Sequence, residues 1–198
     1  MTPRPRHFKQ DKTKIEEFKK NITKEIARYN TSHVLFFDES RFGTHSKIGY
    51  GWFKRGTRTT VKVGINRENF YLYSAVDTSN GDNFSIILPS VNTNNMNVFL
   101  LELSKLYPTD TLVLIMDGAG WHKSRSLKVP NNIKIIYLPP YSPELNPVEK
   151  LWLYIKSKLL VNKLYECINA LEAILCEFIK TLSADIIKTL CSISYLLT

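Results

Sequence analysis

The chain has 198 residues, 43% hydrophobic and 12% aromatic, enough to bury a proper core, so one globular domain with an appendage is the expected organisation. Its formal net charge of +9 points towards a polyanionic partner, because clustered Lys and Arg raise the local phosphate concentration; a merely basic soluble protein is the other reading. The charged stretch MTPRPRHFKQDK argues against a signal peptide, and no run approaches the roughly 18 apolar residues of a membrane helix.

Residues 1–30 hold nine Lys/Arg against four acids, and Ile15, Phe18, Ile22 and Ile26 recur at helical spacing, which predicts an amphipathic helix over 12–29. Its apolar stripe either packs on its own domain or marks a basic linker to another segment. The run 33–38, HVLFFD, reads as a buried strand. Glycines at 43, 49, 51 and 56 punctuate the next stretch, where 50–53 and 59–63 can pair as a hairpin around Lys54-Arg55-Gly56-Thr57. Strands are expected over 69–76 and 84–88, with the turn Ser79-Asn80-Gly81-Asp82 between them. A helix comes next over 96–106, closed by Pro108, then strands over 112–116 and 133–137 with a short helix over 121–127 between them. Residues 148–161 form a basic helix, and 165–182 and 184–196 a helical C-terminal tail with Ser183 as N-cap. Several antiparallel strands followed by alternating helix and strand predict an α/β protein with a mixed sheet flanked by helices. The expected division is 1–30 basic linker helix, 31–161 mixed-sheet α/β domain and 162–198 helical extension. Three cysteines, Cys167, Cys176 and Cys191, without a CxxC pair, suit reduced thiols in a cytoplasmic protein better than a disulfide frame or a zinc site.

Asp38 and Asp117 each stand where a buried strand reaches solvent, and neighbouring strands of an α/β sheet gather ligands at such ends. Bare carboxylates held that close repel unless a cation neutralises them, and oxygen donors suit Mg²⁺ or Mn²⁺. A plainer account exists for each, since aspartate commonly ends a strand and opens a turn. Glu149 is the third candidate. With Asn146 as N-cap and Pro147 in the first helical position, it also fits a capping box. The stiff segment Pro139-Pro140-Tyr141-Ser142-Pro143 fixes the start of that helix, which suits a ligand that must be positioned and equally a structural corner. Of the competing acids, Glu39 alternates to the other face of the strand and Glu144 lies in the loop. His122 can support the site through a phosphate or a metal-bound water, or be a structural histidine beside Trp121.

VLFFDESRFG, LIMDGAGWHKS and YLPPYSPELNPVEKLW resemble, in order and character, the three acidic motifs of the DDE transposases of the insertion-sequence 630/Tc1/mariner superfamily. The likeness covers about residues 32–158, and the proline-rich third motif is the most specific part. It implies a ribonuclease-H-like fold, a metal-binding triad of Asp38, Asp117 and Glu149 holding two Mg²⁺ (or Mn²⁺), and cleavage and strand transfer of DNA at transposon ends. It further implies a homodimer in the active complex, a location on the nucleoid in a prokaryote, and a helix-turn-helix end-reading domain. Nothing of the last kind lies before Asp11, so the chain reads as the catalytic portion, with a separate end-binding polypeptide as one arrangement. Gly118 departs from the Asn of many relatives, and the apolar end CSISYLLT does not align. Candidate DNA-contacting cations are Lys47, Lys54, Arg55, Arg58, Lys123, Arg125, Lys150, Lys156 and Lys158; solvated surface is the alternative for each. Trp52 and Trp121 can stack on an unpaired base, whereas Trp152 reads as core. The competing functions are another ribonuclease-H-like nuclease, or a DNA-binding regulator or remnant without cleavage.

Overall fold

The structure, a computed structural model, describes residues 8–45, 47–50, 52, 54–56, 60, 62 and 68–196. Five strands form one sheet: β1 (His33–Gly43), β2 (Asn69–Asp77), β3 (Asn83–Leu88), β4 (Leu112–Met116) and β5 (Ile133–Tyr137). Their spatial order is β3-β2-β1-β4-β5, with β1–β2 and β2–β3 antiparallel and β1–β4 and β4–β5 parallel. The helices are α1 (Lys12–Ala27), α2 (Thr93–Leu106), α3 (Val148–Leu159), α4 (Ile168–Lys180) and α5 (Ala184–Leu190).

Strand alternation sorts the sheet's side chains into two cores. Phe36 and Phe42 of β1 join Val113 and Ile115 of β4 on the face covered by α3, with Ile15 and Ile22 of α1, Leu171 and Leu175 of α4 and Ile187 of α5. Leu35 and Phe37 turn the other way with Leu114 and Met116, under Met96, Phe99, Leu100 and Leu103 of α2. β4 is buried along its whole length, as a strand covered on both faces requires, which explains its uninterrupted apolar run LVLIM. The stripe of α1 therefore packs on this domain. Asp11 caps its start, accepting from the Thr13 and Lys14 amides at 2.9 and 3.3 Å.

β2 and β3 meet in the expected turn, where Gly81 has φ of 82° and a Cβ would lie 2.2 Å from the Ala184 carbonyl oxygen, so only glycine fits there. Ser183 caps α5 by accepting from the Ile186 amide at 3.4 Å.

Three expectations need correction. β1 runs on to Gly43, so Asp38 sits mid-strand rather than at a strand end. It is β4 that stops, and Asp38 lies beyond the last β1–β4 pair, Phe36–Ile115. The segment 121–127 holds one three-residue 3-10 turn, Gly120–His122, instead of a helix. The tail helices are shorter than their apolar patterns, spanning Ile168–Lys180 and Ala184–Leu190. Most of the hairpin expected over 50–63 lies outside the described residues, and the described ones there carry no strand.

Candidate acidic site

β4 ends at Met116 beside β1, one residue past the Phe36–Ile115 pair, so Asp117 leaves the sheet next to Asp38. The Leu138 amide still donates to the Met116 carbonyl at 2.8 Å, which draws the exit of β5 and its proline-rich loop to the same edge. In that loop Tyr141 adopts φ of 58°, a left-handed conformation costly for a bulky residue and a mark of a chain forced through a tight corner. The loop then makes a 3-10 turn, Pro143–Leu145, and enters α3.

Asn146 fixes that entrance. Its buried amide nitrogen donates to the Phe37 carbonyl at 2.9 Å, taking a place on β1 that β4 no longer fills, and its side-chain oxygen accepts from the Val148 amide at 3.2 Å. Asn146 thus caps the helix as expected, but the capping box is not formed: among the described residues no hydrogen bond returns from the Glu149 side chain. Glu149 instead lines a cleft of about 410 Å³ together with Asp38, Asp117, Lys123 and the 138–143 loop. β1, the end of β4 and the first turn of α3 each supply one acid.

The charges are crowded. Burial pushes the Asp38 carboxyl up to about 8, with the Glu149, Glu39 and Asp117 charges adding to it against a hydrogen bond from Trp152. That bond runs from Trp152 Nε1 to Asp38 Oδ2 at 2.8 Å. Burial also raises Glu149, with Lys156 opposing and Asp117 adding. Asp117 goes the other way, held below the usual carboxylate range by its hydrogen bond with His122. Burial alone would pull the His122 imidazole down, yet its bonds to Asp117 and Glu39 outweigh it and push it up to about 9.

The three acids are the right donors for a hard divalent cation: all oxygen, net negative, and repelling one another without one. They do not form a closed ligand set, since no group of three His, Cys, Asp or Glu poised to hold an ion occurs among the described residues.

The remaining candidates are scattered. Lys123 reaches the cleft, its Nζ 4.7 Å from the Tyr137 ring centroid. A side chain at Gly118 would displace the end of Lys123, because a Cβ there falls 2.5 Å from Nζ. Lys156 lies over the Phe42 ring at 5.5 Å, its amine pulled down by burial and by Lys47 while Glu149 and Asp38 oppose. Lys150 donates to the Ser192 carbonyl at 2.7 Å, and Lys158 lies over Tyr154. Arg125, Lys54 and Arg55 are exposed away from the cleft lining, and Arg58 lies outside the described residues. Trp52 is fully exposed, whereas Trp121 is tied down, its Nε1 donating to Glu39 at 3.1 Å. Glu144 accepts from Gln10 at 2.6 Å. The sequence reading missed Trp152 and Glu39 as parts of the site; the spacing of Trp152, three residues after Glu149 on one helix, was the available signal for the first.

A mixed sheet in the order β3-β2-β1-β4-β5, with acids at adjoining central strands and on a flanking helix, defines a ribonuclease-H-like catalytic domain. The catalytic domain of Mos1 mariner transposase superposes on it with a TM-score of 0.64, covering 95% of this chain and 91% of that one at 14% identity, a likeness of fold. The sequence description of the DDE superfamily endonucleases fits residues 33–172, and the chain belongs to that family. It is 39% identical over 97 residues to an uncharacterised protein, y4pE/y4sA, of Sinorhizobium fredii, covering 48% of this chain and 72% of the relative. It is also 31% identical over 140 residues to an uncharacterised 39 kDa protein of the IS630 insertion element of Shigella sonnei, covering 66% of this chain and 40% of the relative. These matches ally it by sequence with an IS630 insertion-element protein, of which it spans less than half, and by fold with the Mos1 catalytic domain.

Proposed function

We propose that the chain is the catalytic unit of a transposase that cleaves and rejoins DNA at transposon ends, with Asp38, Asp117 and Glu149 as its acidic triad. The observation that supports this reading most is the arrival of three acids, from β1, the end of β4 and α3, in one cleft. In this reading the three carboxylates hold Mg²⁺ or Mn²⁺, two ions per site; Mos1 paired-end complexes have been solved with each metal. When bound, the metal activates a water or a 3′-hydroxyl for in-line attack on a phosphodiester and stabilises the leaving oxygen.

The chain's own residues do the positioning. Asn146 and the proline loop set where Glu149 stands, Trp152 orients Asp38 and favours its charged form, and Lys123 and Lys156 attract the flanking phosphates. No covalent enzyme intermediate is required, so the site needs no nucleophilic side chain. DNA is the proposed partner, in a homodimer, with an end-reading helix-turn-helix segment on the same or a separate polypeptide; residues 31–161 form the catalytic unit, 1–30 the link towards that segment and 162–198 a helical support. DNA work and reduced thiols suit a cytoplasmic, nucleoid-associated location; no helix among the described residues is long and apolar enough to cross a membrane.

The test is Mg²⁺- or Mn²⁺-dependent nicking and strand transfer on DNA carrying the element's ends. Asp117→Asn and Glu149→Gln should each reduce both reactions to background while the proteins stay folded. If wild type and both variants behave alike, the triad assignment fails; preference for RNA–DNA hybrids or four-way junctions over linear ends would favour another ribonuclease-H-like nuclease.

A further inference from the structure

Asp38 and Glu39 are neighbours on β1 and so face opposite sides of the sheet. Asp38 opens towards α3 and the cleft. Glu39 goes into the α2 side, where its side chain is 6% exposed and its Oε1 accepts from His122 Nε2 at 2.7 Å and from Trp121 Nε1 at 3.1 Å. The other ring nitrogen of His122, Nδ1, bonds Asp117 Oδ1 at 2.8 Å. Glu39, His122 and Asp117 thus form one chain of hydrogen bonds running from the core to the cleft.

The imidazole in the middle cannot swing away. It is 1% exposed, and its ring stands edge-on to Phe37 at 5.7 Å. Its backbone is pinned as well: the His122 carbonyl accepts from the Tyr137 hydroxyl at 2.6 Å, and its amide donates to the Ala119 carbonyl at 3.0 Å. The neighbouring Trp121 carbonyl accepts from Thr93 Oγ1 at 3.2 Å. Asp117 itself has a side chain 58% exposed at a chain turn, where a carboxylate would otherwise sample several rotamers. His122 and the Ala119 amide both take its Oδ1, which leaves Oδ2 for the cleft.

Packing alone does not account for this arrangement. A buried ion pair generally contributes no more stability than apolar side chains of the same volume, so a glutamate and a histidine in an aromatic core call for another reason. Supporting partners of metal ligands supply one, because they fix the ligand's orientation and tune its donor strength. Glu39 holds the imidazole from behind, so that Nδ1 stays aimed at Asp117.

Resting on the assignment of Asp117 as a metal ligand, we propose that Glu39 is a positioning residue which, acting through His122, holds Asp117 Oδ2 ready for the divalent ion. The reading of Glu39 as merely turned away is correct about the face and incomplete about the role.

The experiment titrates Mn²⁺ into the full chain without DNA, with bound ion measured by electron paramagnetic resonance and folding followed by the metal-free melting temperature. Wild type, Glu39→Gln and Asp117→Asn are compared. Glu39→Gln should raise the half-saturating Mn²⁺ concentration about 10- to 100-fold, with strand cleavage recovering at high metal. An affinity within about twofold of wild type, whatever the melting temperature does, would leave Glu39 as a core contact and overturn the proposal, since supporting-residue losses are normally tenfold or more. If Asp117→Asn binds Mn²⁺ as well as wild type, the assignment of Asp117 fails and this inference with it. A normal Glu39→Gln beside a defective Asp117→Asn sinks the inference alone. Should Glu39→Gln not fold, the wild-type His122 ring nitrogens give the answer: their ¹⁵N resonances should move on Mg²⁺ addition, and resonances that stay put overturn the proposal.

Discussion

The indole of Trp152 is 3% exposed beneath α3, and its Nε1–H still reaches the Asp38 carboxylate at 2.8 Å. One side chain therefore fills the core with its ring and favours a charged ligand with its edge. Trp152→Phe keeps most of the packing and removes the donor. Losing a hydrogen bond to a charged group costs about 1.5–3 kcal/mol, so at neutral pH the half-saturating Mn²⁺ concentration should rise roughly 10-fold or more, with the rate at saturating metal little changed. A metal titration of cleavage checks this; an unchanged half-saturation point would mean that the indole serves packing alone. At this scale the acids were legible from the sequence because each stands beside an apolar run or a proline loop that announces it. The contacts that tune them were not. Trp152 shares a helical face with apolar Ile155 and Leu159 and so reads as core, and the partner of Glu39 arrives from a turn 83 residues further along the chain.

Among the elements, β4 and β5 match their expected spans of 112–116 and 133–137 because an apolar run bounded by polar turns leaves little choice of register. β1 was read five residues short. Its continuation, ESRFG, opens with three polar residues and holds one large apolar side chain, Phe42, and what holds it as strand is the long pairing with β2, from Leu35–Asp77 to Gly43–Asn69. No local pattern in β1 itself announces that partner. The junction between loop and α3 was half legible: Asn146 was visible as a cap, while its bond to the Phe37 carbonyl is tertiary. Asn146→Ala should cost about 1–3 kcal/mol, because a buried carbonyl on β1 and the Val148 amide both lose a partner. Urea denaturation measures that loss. Cleavage should fall further than stability does, since α3 carries Glu149; variants that lose stability while cleaving at the wild-type rate under native conditions would show that Asn146 does not set the position of Glu149.

For the whole molecule, the crowding of charge predicts how stability depends on pH without metal. Asp38 is raised from 3.8 to about 8, so folding favours its protonated form; its contribution is complete below about pH 4 and lost as pH rises through 8. Glu149 is raised as well and acts in the same sense. His122, raised from 6.5 to about 9, contributes fully below pH 6.5 and loses that contribution as pH passes 9. Of these four groups Asp117, lowered by His122, works in reverse, its contribution present above 3.8 and lost on acidification. In chelator the melting temperature should therefore fall steadily between pH 5 and 9. A four-unit shift corresponds to about 5 kcal/mol as an upper bound, and solvent at the cleft mouth reduces it. Asp38→Asn removes one titrating group and should make the fall shallower below pH 8, leaving the Glu149 part and the His122 part, which runs from 6.5 to 9. Mg²⁺ competes with protons for the same oxygens, so it should stabilise wild type more at pH 8 than at pH 5. Scanning calorimetry across this range separates the outcomes: a melting temperature that rises from pH 5 to 9 in chelator would mean that burial and mutual repulsion raise the acids far less than their shared cleft implies.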